Sequence, residues 1–328
     1  MKTEFVRGLE NLKSAGNSTV VATIGTFDGI HLGHREILEQ VQTEAEKHSL
    51  TPVLITFDPH PRVVLTPDTA PKLLTTMKEK EQFIPDYFNG KVLVLTFDEK
   101  LRNMSAEDFA RDILIEKVGV KKLIVGYDHA LGKNRKGDTK ELERLGETYG
   151  FEIEIVGPVL RHGEAISSTR IRKAMESGDF KTAIEFLGHH YAIYGKVVRG
   201  MGLGKKLGFP TANVDYDKSK LLPPDGIYAC WARVGSEDLN GMMFIGQNHF
   251  NPAGGKSVEA NLFDFDEDIY DDGIFVYPTH FVRENRKFSS TEKLKDQMKK
   301  DKEEVLIIMK KEKENVGRER AQSSNYLG

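Results

Sequence analysis

Two histidines, His31 and His34, close a glycine-rich stretch that separates an apolar run from an amphipathic pattern. The run at 19–24 predicts a strand, and the pattern at 35–47 predicts a helix. A helix that begins at a glycine-rich turn offers unpaired N–H groups and the positive end of its dipole to an anion. Each histidine adds a donor that takes up a proton near neutral pH. The stretch therefore predicts a phosphate site, formed by Gly25, Thr26, Phe27, Gly33 and the two histidines.

Two other interpretations of the histidine pair remain open. The pair could bind a metal ion, although the chain has neither an H-E-x-x-H motif nor a cluster of Cys and His residues. It could also be structural, with one histidine capping the helix. The surrounding glycines favour phosphate, because zinc ligands do not require them.

Length and composition narrow the class of protein. A chain of 328 residues predicts two domains, because single cores stop growing at about 250–300 residues. The net charge of -3 argues against a broad nucleic-acid surface, so no nucleic-acid partner is expected. The single cysteine, Cys230, rules out an internal disulfide. No stretch resembles a membrane span or a signal peptide, and we expect a cytoplasmic protein without a membrane partner.

Strand and helix patterns alternate through the first half of the chain. This alternation predicts an α/β domain, a Rossmann-like, doubly wound parallel sheet with right-handed crossovers. The predicted strands are 19–24, 52–57, 91–95, 121–125 and 151–156, and the predicted helices are 35–47, 77–88, 105–117 and 138–149.

Polar residues follow two of these strands. Asp58, Pro59, His60 and Pro61 come just after a strand, where open α/β sheets bind ligands, and the prolines are expected to block a helix. Asp128 follows another strand end and could contact a ribose or base. The alternative is a plain turn at the first place and a cap at the second.

A second anion site is predicted where hydroxyl residues open a helix that also carries arginines. Ser168, Thr169 and Arg172 combine hydroxyl, backbone and guanidinium donors. The alternative is a helix cap with surface arginines.

Short β-branched and aromatic segments replace the helical patterns after about residue 188. They predict a small antiparallel β-barrel followed by a helix that starts at Ser289 or Ser290. The predicted strands are 191–198, 211–214, 227–234, 241–245, 258–263 and 274–282.

A glycine-rich basic loop joins the first two of these strands. It is not a Walker A loop, but its composition suits phosphate, with a barrel hairpin as the alternative. Thr211 and Asn213 offer oxygens suited to Mg²⁺, and Glu259 could accept a proton from a hydroxyl or be a solvated strand residue. The residues expected to bind phosphate here are Gly200, Gly204, Lys205, Gly208, Pro210, Thr211 and Asn213.

The two anion motifs of the first half resemble the signature pair of the HxGH nucleotidyltransferase superfamily. The pair consists of Gly-Ile-His-Leu-Gly-His at 29–34 and Ile-Ser-Ser-Thr-Arg-Ile-Arg at 166–172. The resemblance implies transfer of a nucleotidyl group to a phosphate with release of pyrophosphate. An acceptor phosphate is already a nucleophile, so the protein must chiefly align the reactants and compensate their charge.

Three segments of the second half resemble the riboflavin kinase module. They are Gly-Phe-Pro-Thr-Ala-Asn at 208–213, Pro-Asp-Gly-Ile-Tyr at 224–228, and 259–270. The order of the two modules, over roughly 10–305, is similar to that of the bacterial bifunctional riboflavin kinase/FAD synthetase family. The resemblance implies that ATP phosphorylates riboflavin to FMN, and that a second ATP adenylylates FMN to FAD.

The resemblance also assigns roles and domains. His31, His34 and Arg172 would act on the ATP phosphates with Ser168 and Thr169, and Asp128 would lie near the nucleotide. Residues 58–61 would line the first flavin site. In the kinase module Thr211 and Asn213 would bind Mg²⁺, Glu259 would be the general base, and Arg283 and Phe288 would line the flavin. We expect an adenylyltransferase domain at 1–187, a kinase domain at 188–304, a charged solvated tail at 305–328, and a monomer or transient homo-oligomer.

This chain departs from the family pattern at a few positions. His129 and Leu131 stand where aromatic residues are usual, Asn-His-Phe at 248–250 replaces Asn-Pro-Thr, and Asn261 replaces a histidine. Two other functions stay open: an enzyme with one active half, and a flavin- or nucleotide-binding regulator without activity.

Overall fold

The computed structural model of the chain describes residues 2–12, 19–129, 132, 137–247 and 255–324, with side chains described through residue 311. The chain forms two compact units, one of Met1–Ile171 with Phe186–Gly188 and one of Arg172–Glu185 with His189–Gly328. The departures at Leu131 and at 248–250 lie outside the described residues. The domain bounds predicted from the sequence, 1–187 and 188–304, stay a prediction.

The first unit contains a six-stranded parallel sheet in the order β1-β4-β3-β2-β5-β6. Strands β2 and β4 are buried on both faces almost throughout, as parallel strands covered by helices are. The order reverses at β2, which places a topological switch point between β2 and β5. The strands are β1 (Glu4–Arg7), β2 (Val20–Ile24), β3 (Thr51–Asp58), β4 (Lys91–Thr96), β5 (Val120–Gly126) and β6 (Glu152–Val156).

Helices follow the strands of this sheet. The segment Phe109–Val118, which continues α5, is a π-helix. A two-stranded ribbon, β7 (Leu160–Arg161) and β8 (Glu164–Ala165), precedes the last two helices. The helices before the barrel are α1 (Leu32–His48), α2 (Pro61–Leu65), α3 (Met77–Phe83), α4 (Glu99–Asn103), α5 (Ala106–Asp108), α6 (Thr139–Tyr149), α7 (Ser168–Glu176) and α8 (Phe180–Leu187). Residues 172–185, in α7 and α8, belong to the second unit.

The predicted parallel α/β architecture is confirmed, with three differences in detail. A sixth strand, β1, pairs with β4 at the edge, and only Val6 of its residues is buried. Pro61 does not block a helix but begins α2, because a proline at the first helical position lacks only an N–H that would be unpaired anyway. The helix predicted to reach residue 88 ends at Phe83 and continues as a 3-10 turn over Ile84–Asp86.

The second unit is built around a closed barrel of six antiparallel strands in the order β10-β13-β12-β11-β14-β9. Strand β9 closes the barrel by pairing with both β10 and β14. Buried and exposed residues alternate in β9, as the two faces of a barrel strand require. The strands are β9 (Ile193–Val198), β10 (Ala212–Tyr216), β11 (Gly226–Val234), β12 (Glu237–Gln247), β13 (Lys256–Leu262) and β14 (Gly273–Arg283). All six predicted barrel strands are confirmed.

Two helices accompany the barrel, α9 (Leu203–Leu207) in the glycine-rich loop and α10 (Thr291–Ser324) after the last strand. The Ser290 hydroxyl accepts a hydrogen bond from the Lys293 N–H, which caps α10 where a helix start was predicted. Val305 and Met309 are buried in a core cluster with barrel residues. The tail predicted at 305–328 therefore begins within α10, and its first residues, Val305 and Met309, still pack in this core. Within the described ranges, no helix is long and apolar enough to cross a membrane.

Candidate active sites

The glycine-rich turn of the first unit leaves the central strand β2 and ends at α1. The N–H of Gly25 donates to the Ile55 carbonyl at 3.0 Å, which ties the start of the turn to β3. Phe27 and Ile30 both have positive φ, at 47° and 43°, which is costly for residues with a Cβ. Gly29, at φ 96°, lies where an added Cβ would approach Leu74 Cδ1 at 3.0 Å. The surrounding structure therefore has to hold this turn in place.

Buried polar contacts from a distant loop hold the turn. The Asp28 carboxylate accepts hydrogen bonds from the Thr75 N–H at 2.8 Å and from its hydroxyl at 3.3 Å. The same hydroxyl accepts from the Gly29 N–H at 2.8 Å. Asp28 and Thr75 are both buried. These hydrogen bonds fix the middle of the turn, because buried polar groups are costly to leave unpaired.

Two cations contact carbonyl groups at the ends of the turn. The Lys80 ammonium, on α3, donates to the Thr26 carbonyl at 2.5 Å. The Arg35 guanidinium donates to the Ile30 carbonyl at 3.3 Å and to the Leu187 carbonyl at 3.0 Å. Burial lowers the pKa of Arg35, although Tyr87 and Asp86 oppose that effect. No motif in the sequence marks Lys80, Arg35 or Thr75 as a site residue.

The two histidines form a stacked pair at the beginning of α1. His31 is the N-cap residue, and its Nδ1 accepts a hydrogen bond from the His34 N–H at 3.3 Å. The two rings stack with centroids 3.6 Å apart and planes 15° from parallel. Because Nδ1 of His31 accepts, the neutral ring carries its proton on Nε2.

Electrostatics keep the second ring of the pair uncharged. Burial lowers the pKa of His34 well below its ordinary value, and the nearby charges of His31 and Lys80 lower it further. His34 Nδ1 is buried without a hydrogen-bond partner. His34 is therefore a neutral ring at neutral pH. Among the described residues, no three His, Cys, Asp or Glu side chains are grouped to hold a metal ion.

The structure brings the second anion motif to this turn. The Ser168 hydroxyl, in the first turn of α7, donates to the Asp28 carbonyl at 2.8 Å across 140 residues of sequence. Thr169 is exposed beside it. Arg172 is placed one helical turn further along α7 and is the first residue of the second unit. Gly25–His34 and Ser168 thus belong to one place in the fold, as the paired motifs predict.

The other predicted residues of this site follow the strands that flank β2. Asp58 ends β3 and pairs with Arg7 at 3.5 Å, and the His60 ring caps α2 by accepting from the Arg62 N–H. Pro59 and Pro61 lie on either side of His60. Asp128 lies exposed in the turn after β5. Since β3, β2 and β5 are parallel neighbours, these residues leave the sheet at the same edge.

The candidate site of the second unit forms where β10 lies between β9 and β13. Asn213 is opposite both Val198 and Glu259 in the strand register. The Thr211 hydroxyl donates to the Glu259 carboxylate at 3.4 Å. Burial raises the pKa of Glu259, and the Thr211 hydroxyl only partly offsets that effect. A carboxylate with a raised pKa beside a hydroxyl and an amide suits proton transfer.

The loop from β9 to β10 packs closely on these residues. An added Cβ at Gly200 would lie 2.2 Å from Asn213 Nδ2, so the loop can approach this amide only with glycine there. Asn261, on the same strand as Glu259, donates through its amide to the Pro210 carbonyl at 2.6 Å. Gly204 and Lys205 are in the short helix α9, and Gly208 directly follows it. The predicted ATP residues therefore lie in this loop and at the start of β10, and the loop contacts Asn213 at Gly200 and Asn261 at Pro210.

Two residues predicted to line the flavin lie at the end of the barrel: Arg283 is the last residue of β14, and Phe288 follows it. The Arg283 guanidinium is held in a buried, two-pronged ion pair with Asp301 of α10, at 2.8 and 2.6 Å. It also donates to the Glu284 carbonyl and lies 5.8 Å from the centre of the Phe288 ring. This pairing has no signal in the sequence, because Asp301 lies 18 residues further along the chain.

Comparison with known proteins finds a match for each half of the chain. The family model described as FAD synthetase matches residues 13–170, and the one described as Riboflavin kinase matches residues 187–309. The bifunctional riboflavin kinase/FMN adenylyltransferase of Escherichia coli K12 is 35% identical over 299 residues, covering 91% of this chain and 95% of its own. The Bacillus subtilis protein of the same description is 33% identical over 311 residues, covering 93% and 98%.

A solved structure covers the same extent. It is a protein from Streptococcus pneumoniae described as a macrolide-efflux protein, with a TM-score of 0.78, 30% identity, and coverage of 92% of this chain and 98% of its own. A parallel α/β unit that matches one family model, followed by a barrel that matches the other, defines a nucleotide-using transferase. The chain belongs to the family of bifunctional riboflavin kinase/FMN adenylyltransferases. The predicted two-step synthesis of FAD, by way of FMN, is confirmed at this level.

Proposed function

We propose that the two reactions use two separate sets of residues, one around the histidine turn and one around Glu259. The observation that supports this is their distribution. All predicted kinase-site residues lie in the second unit, and all predicted adenylyltransferase residues except Arg172 lie in the first. Each set combines an anion-binding turn with side chains that can donate or accept protons.

In the first unit, a phosphate oxygen of FMN attacks the α-phosphorus of ATP. The bond from that phosphorus to the bridging oxygen breaks, and pyrophosphate leaves with the electron pair. No side chain has to act as a nucleophile, because the FMN phosphate already is one. His31 and His34 donate to the ATP phosphates, with backbone N–H groups of 25–27 and 33 beside them, and hydrogen-bond donors of this kind are worth about 10²- to 10³-fold in rate.

The remaining residues of the first set hold the two substrates. Ser168, Thr169 and Arg172 bind the triphosphate, and Asp128 contacts the nucleotide. Residues 58–61 line the flavin. The contact between Ser168 and the Asp28 carbonyl supports this assignment, because it joins the helix that carries these donors to the histidine turn.

In the second unit, the terminal ribityl hydroxyl of riboflavin attacks the γ-phosphorus of ATP. Glu259 takes the hydroxyl proton, the bond to the β-phosphate oxygen breaks, and ADP leaves. Gly200, Gly204, Lys205, Gly208 and Pro210 surround the ATP phosphates, and Arg283 and Phe288 border the flavin.

Thr211 and Asn213 would hold Mg²⁺ in this second unit. Their hydroxyl and amide oxygens are hard ligands that suit this cation, which usually takes one or two protein ligands together with substrate phosphates. Bound there, Mg²⁺ would neutralise charge on the phosphates.

The reducing, ATP-containing cytoplasm suits both reactions and the buried Cys230 thiol, and we propose that compartment.

Two variants of the full chain test the separation of the sites. Purified protein is incubated with riboflavin, Mg²⁺ and ATP, or with FMN in place of riboflavin, and FMN and FAD are resolved by chromatography. His31→Ala should abolish FAD formation and leave FMN formation nearly intact. Glu259→Gln should slow FMN formation by at least about 10²-fold while supplied FMN is still converted to FAD.

The outcomes separate the alternatives. Loss of both activities in His31→Ala would contradict two independent sites, and an active Glu259→Gln kinase would remove Glu259 as the base. Wild-type protein that makes FMN alone, or FAD only from supplied FMN, would show one active half. No turnover with either substrate would favour the regulator.

A further inference from the structure

Lys80 is a buried cation that the reaction scheme above does not use. It lies on α3, and 4% of its surface is exposed. Its ammonium group has three N–H donors, and one of them donates to the Thr26 carbonyl at 2.5 Å. In the part of the chain that the structure describes, no carboxylate lies within ion-pair distance of it. Asp28 and Asp58 act on it only from further away.

Burying an ammonium group without a paired carboxylate is costly. The cost is several kcal/mol per ion even after the protein relaxes. Burial lowers the pKa of Lys80 here despite the two aspartates, so their attraction does not repay the lost hydration. A methionine of similar length would fill the same space without that cost. The charge of Lys80 therefore destabilises the folded protein.

The hydrogen bond to Thr26 does not by itself require a lysine. The Thr26 carbonyl also accepts a hydrogen bond from the Thr56 hydroxyl at 3.3 Å. The carbonyl would stay paired if the ammonium group were removed. What only a cation supplies at this position is positive charge.

That charge acts on the histidine turn. Lys80 contacts the carbonyl of the residue that precedes Phe27, and the Phe27 ring lies 5.0 Å from that of His34. The ammonium group is close enough to lower the pKa of His34. An anion at the two stacked rings would lie in its field, where the low dielectric of the interior strengthens the attraction.

We infer that Lys80 is a positioning residue of the adenylyl-transfer site, whose buried ammonium orients the Thr26 carbonyl and places a fixed positive charge behind the phosphates at His31 and His34. This inference rests on the proposed function of the first unit. Negative charge moves onto the departing pyrophosphate during the reaction, so a fixed charge that needs no reorientation stabilises the transition state more than the bound substrates.

Lys80→Met tests the inference because it keeps the length of the side chain and removes its charge. We expect kcat for FAD formation from FMN to fall about 10²-fold, with KM for ATP and FMN changed less than about threefold. The melting temperature should be unchanged or higher, and FMN formation should be unchanged. Lys80→Arg should restore kcat to within about tenfold of wild type. Lys78→Met is the matched control, since Lys78 is an exposed lysine of the same helix and pairs with Glu81.

Each result has a defined meaning. Wild-type protein that makes no FAD from FMN and ATP would refute the proposed function of the unit. Two results would overturn the role of Lys80 and leave the proposed function standing. One is a Lys80→Met variant with wild-type activity. The other is a Lys80→Met variant that melts at a lower temperature and loses activity through a raised KM. Equal losses in Lys80→Met and Lys78→Met would also overturn it.

Discussion

The ion pair between Arg283 and Asp301 predicts a large and specific loss of stability in the second unit. Asp301 lies on α10 and only 2% of its side chain is exposed, while 12% of Arg283 is. The Arg283 guanidinium meets both carboxylate oxygens, and the Gln297 amide donates to one of them at 2.9 Å. Asp301→Asn keeps the size of the side chain and removes its charge.

The expected loss follows from burial. Removing one partner of a buried pair leaves an uncompensated charge and costs about 3–5 kcal/mol. The asparagine can still accept one hydrogen bond from Arg283, so we expect the lower end, about 3 kcal/mol. For a unit of this size, that corresponds to a fall in melting temperature of about 10 °C.

A second pair in the same unit provides the matched control. Arg233 meets Asp238 with the same two-pronged geometry, at 2.7 and 2.8 Å, but with 36% and 51% of the two side chains exposed. Exposed pairs contribute about 0–1 kcal/mol. Asp238→Asn should therefore lower the melting temperature by at most about 3 °C. Both variants are followed by thermal unfolding of the full chain and by FMN formation.

A doubly apolar variant separates stability from substrate binding. Arg283→Met combined with Asp301→Leu should recover most of the lost stability, because apolar residues of similar volume replace buried pairs at little cost. A raised KM for riboflavin in that stable variant would support the predicted place of Arg283 at the flavin. Equal destabilisation by Asp301→Asn and Asp238→Asn would refute the argument from burial.

Three further predictions concern the two sites. The pKa of His34 is lowered in the folded protein, so as the pH falls below 6.5 the imidazole takes up a proton in the unfolded chain first. The free energy of unfolding should therefore fall by up to about 1.4 kcal/mol per pH unit. His34→Phe should flatten this pH dependence, measured by urea unfolding at several pH values. The raised pKa of Glu259 should place the acid limb of kcat/KM for FMN formation above pH 4.5, and Thr211→Val should move it higher still. Thr75→Val removes the hydroxyl that joins Asp28 to Gly29; it should destabilise the first unit by about 2 kcal/mol in denaturant unfolding and slow FAD formation but not FMN formation.

Most of the fold could be predicted from the sequence because its signals are local. Buried parallel strands are continuous apolar runs, and barrel strands alternate between turns rich in glycine and proline. Strand β1 has no such signal, since Glu4–Arg7 buries only Val6 and depends on pairing with β4. The π-helix over Phe109–Val118 likewise has the composition of an ordinary helix.

The candidate sites were predictable where chemistry depends on residue type and spacing. The histidine turn and the hydroxyl motif that includes Ser168 could be paired in advance, and the structure places them in contact. Thr75 and Lys80 could not be found in this way, because they reach the turn from 47 and 54 residues along the chain. Lys80 also lies between two glutamates, which is typical of a solvated helix face.

Asn261 shows how a departure from the family pattern can preserve a contact. Histidine is expected at this position, and here the Asn261 amide, 5% exposed, donates to the Pro210 carbonyl at 2.6 Å. That carbonyl precedes Thr211, so the hydrogen bond fixes the approach of the loop to Glu259. A histidine N–H could make the same bond, whereas a leucine of equal size would remove this hydrogen bond, at a cost of about 0.5–1.5 kcal/mol.

We therefore expect Asn261→His to keep FMN formation within about threefold of wild type, and Asn261→Leu to lower it at least about tenfold and to lower the melting temperature. Conversion of supplied FMN to FAD by the same protein is the internal control, because it depends on the other set of residues. Equal kinase activity in the leucine and histidine variants would show that the loop does not need this donor. A loss of kinase activity in both variants would show that the size and shape of the asparagine side chain matter at this position, and not its hydrogen bond alone.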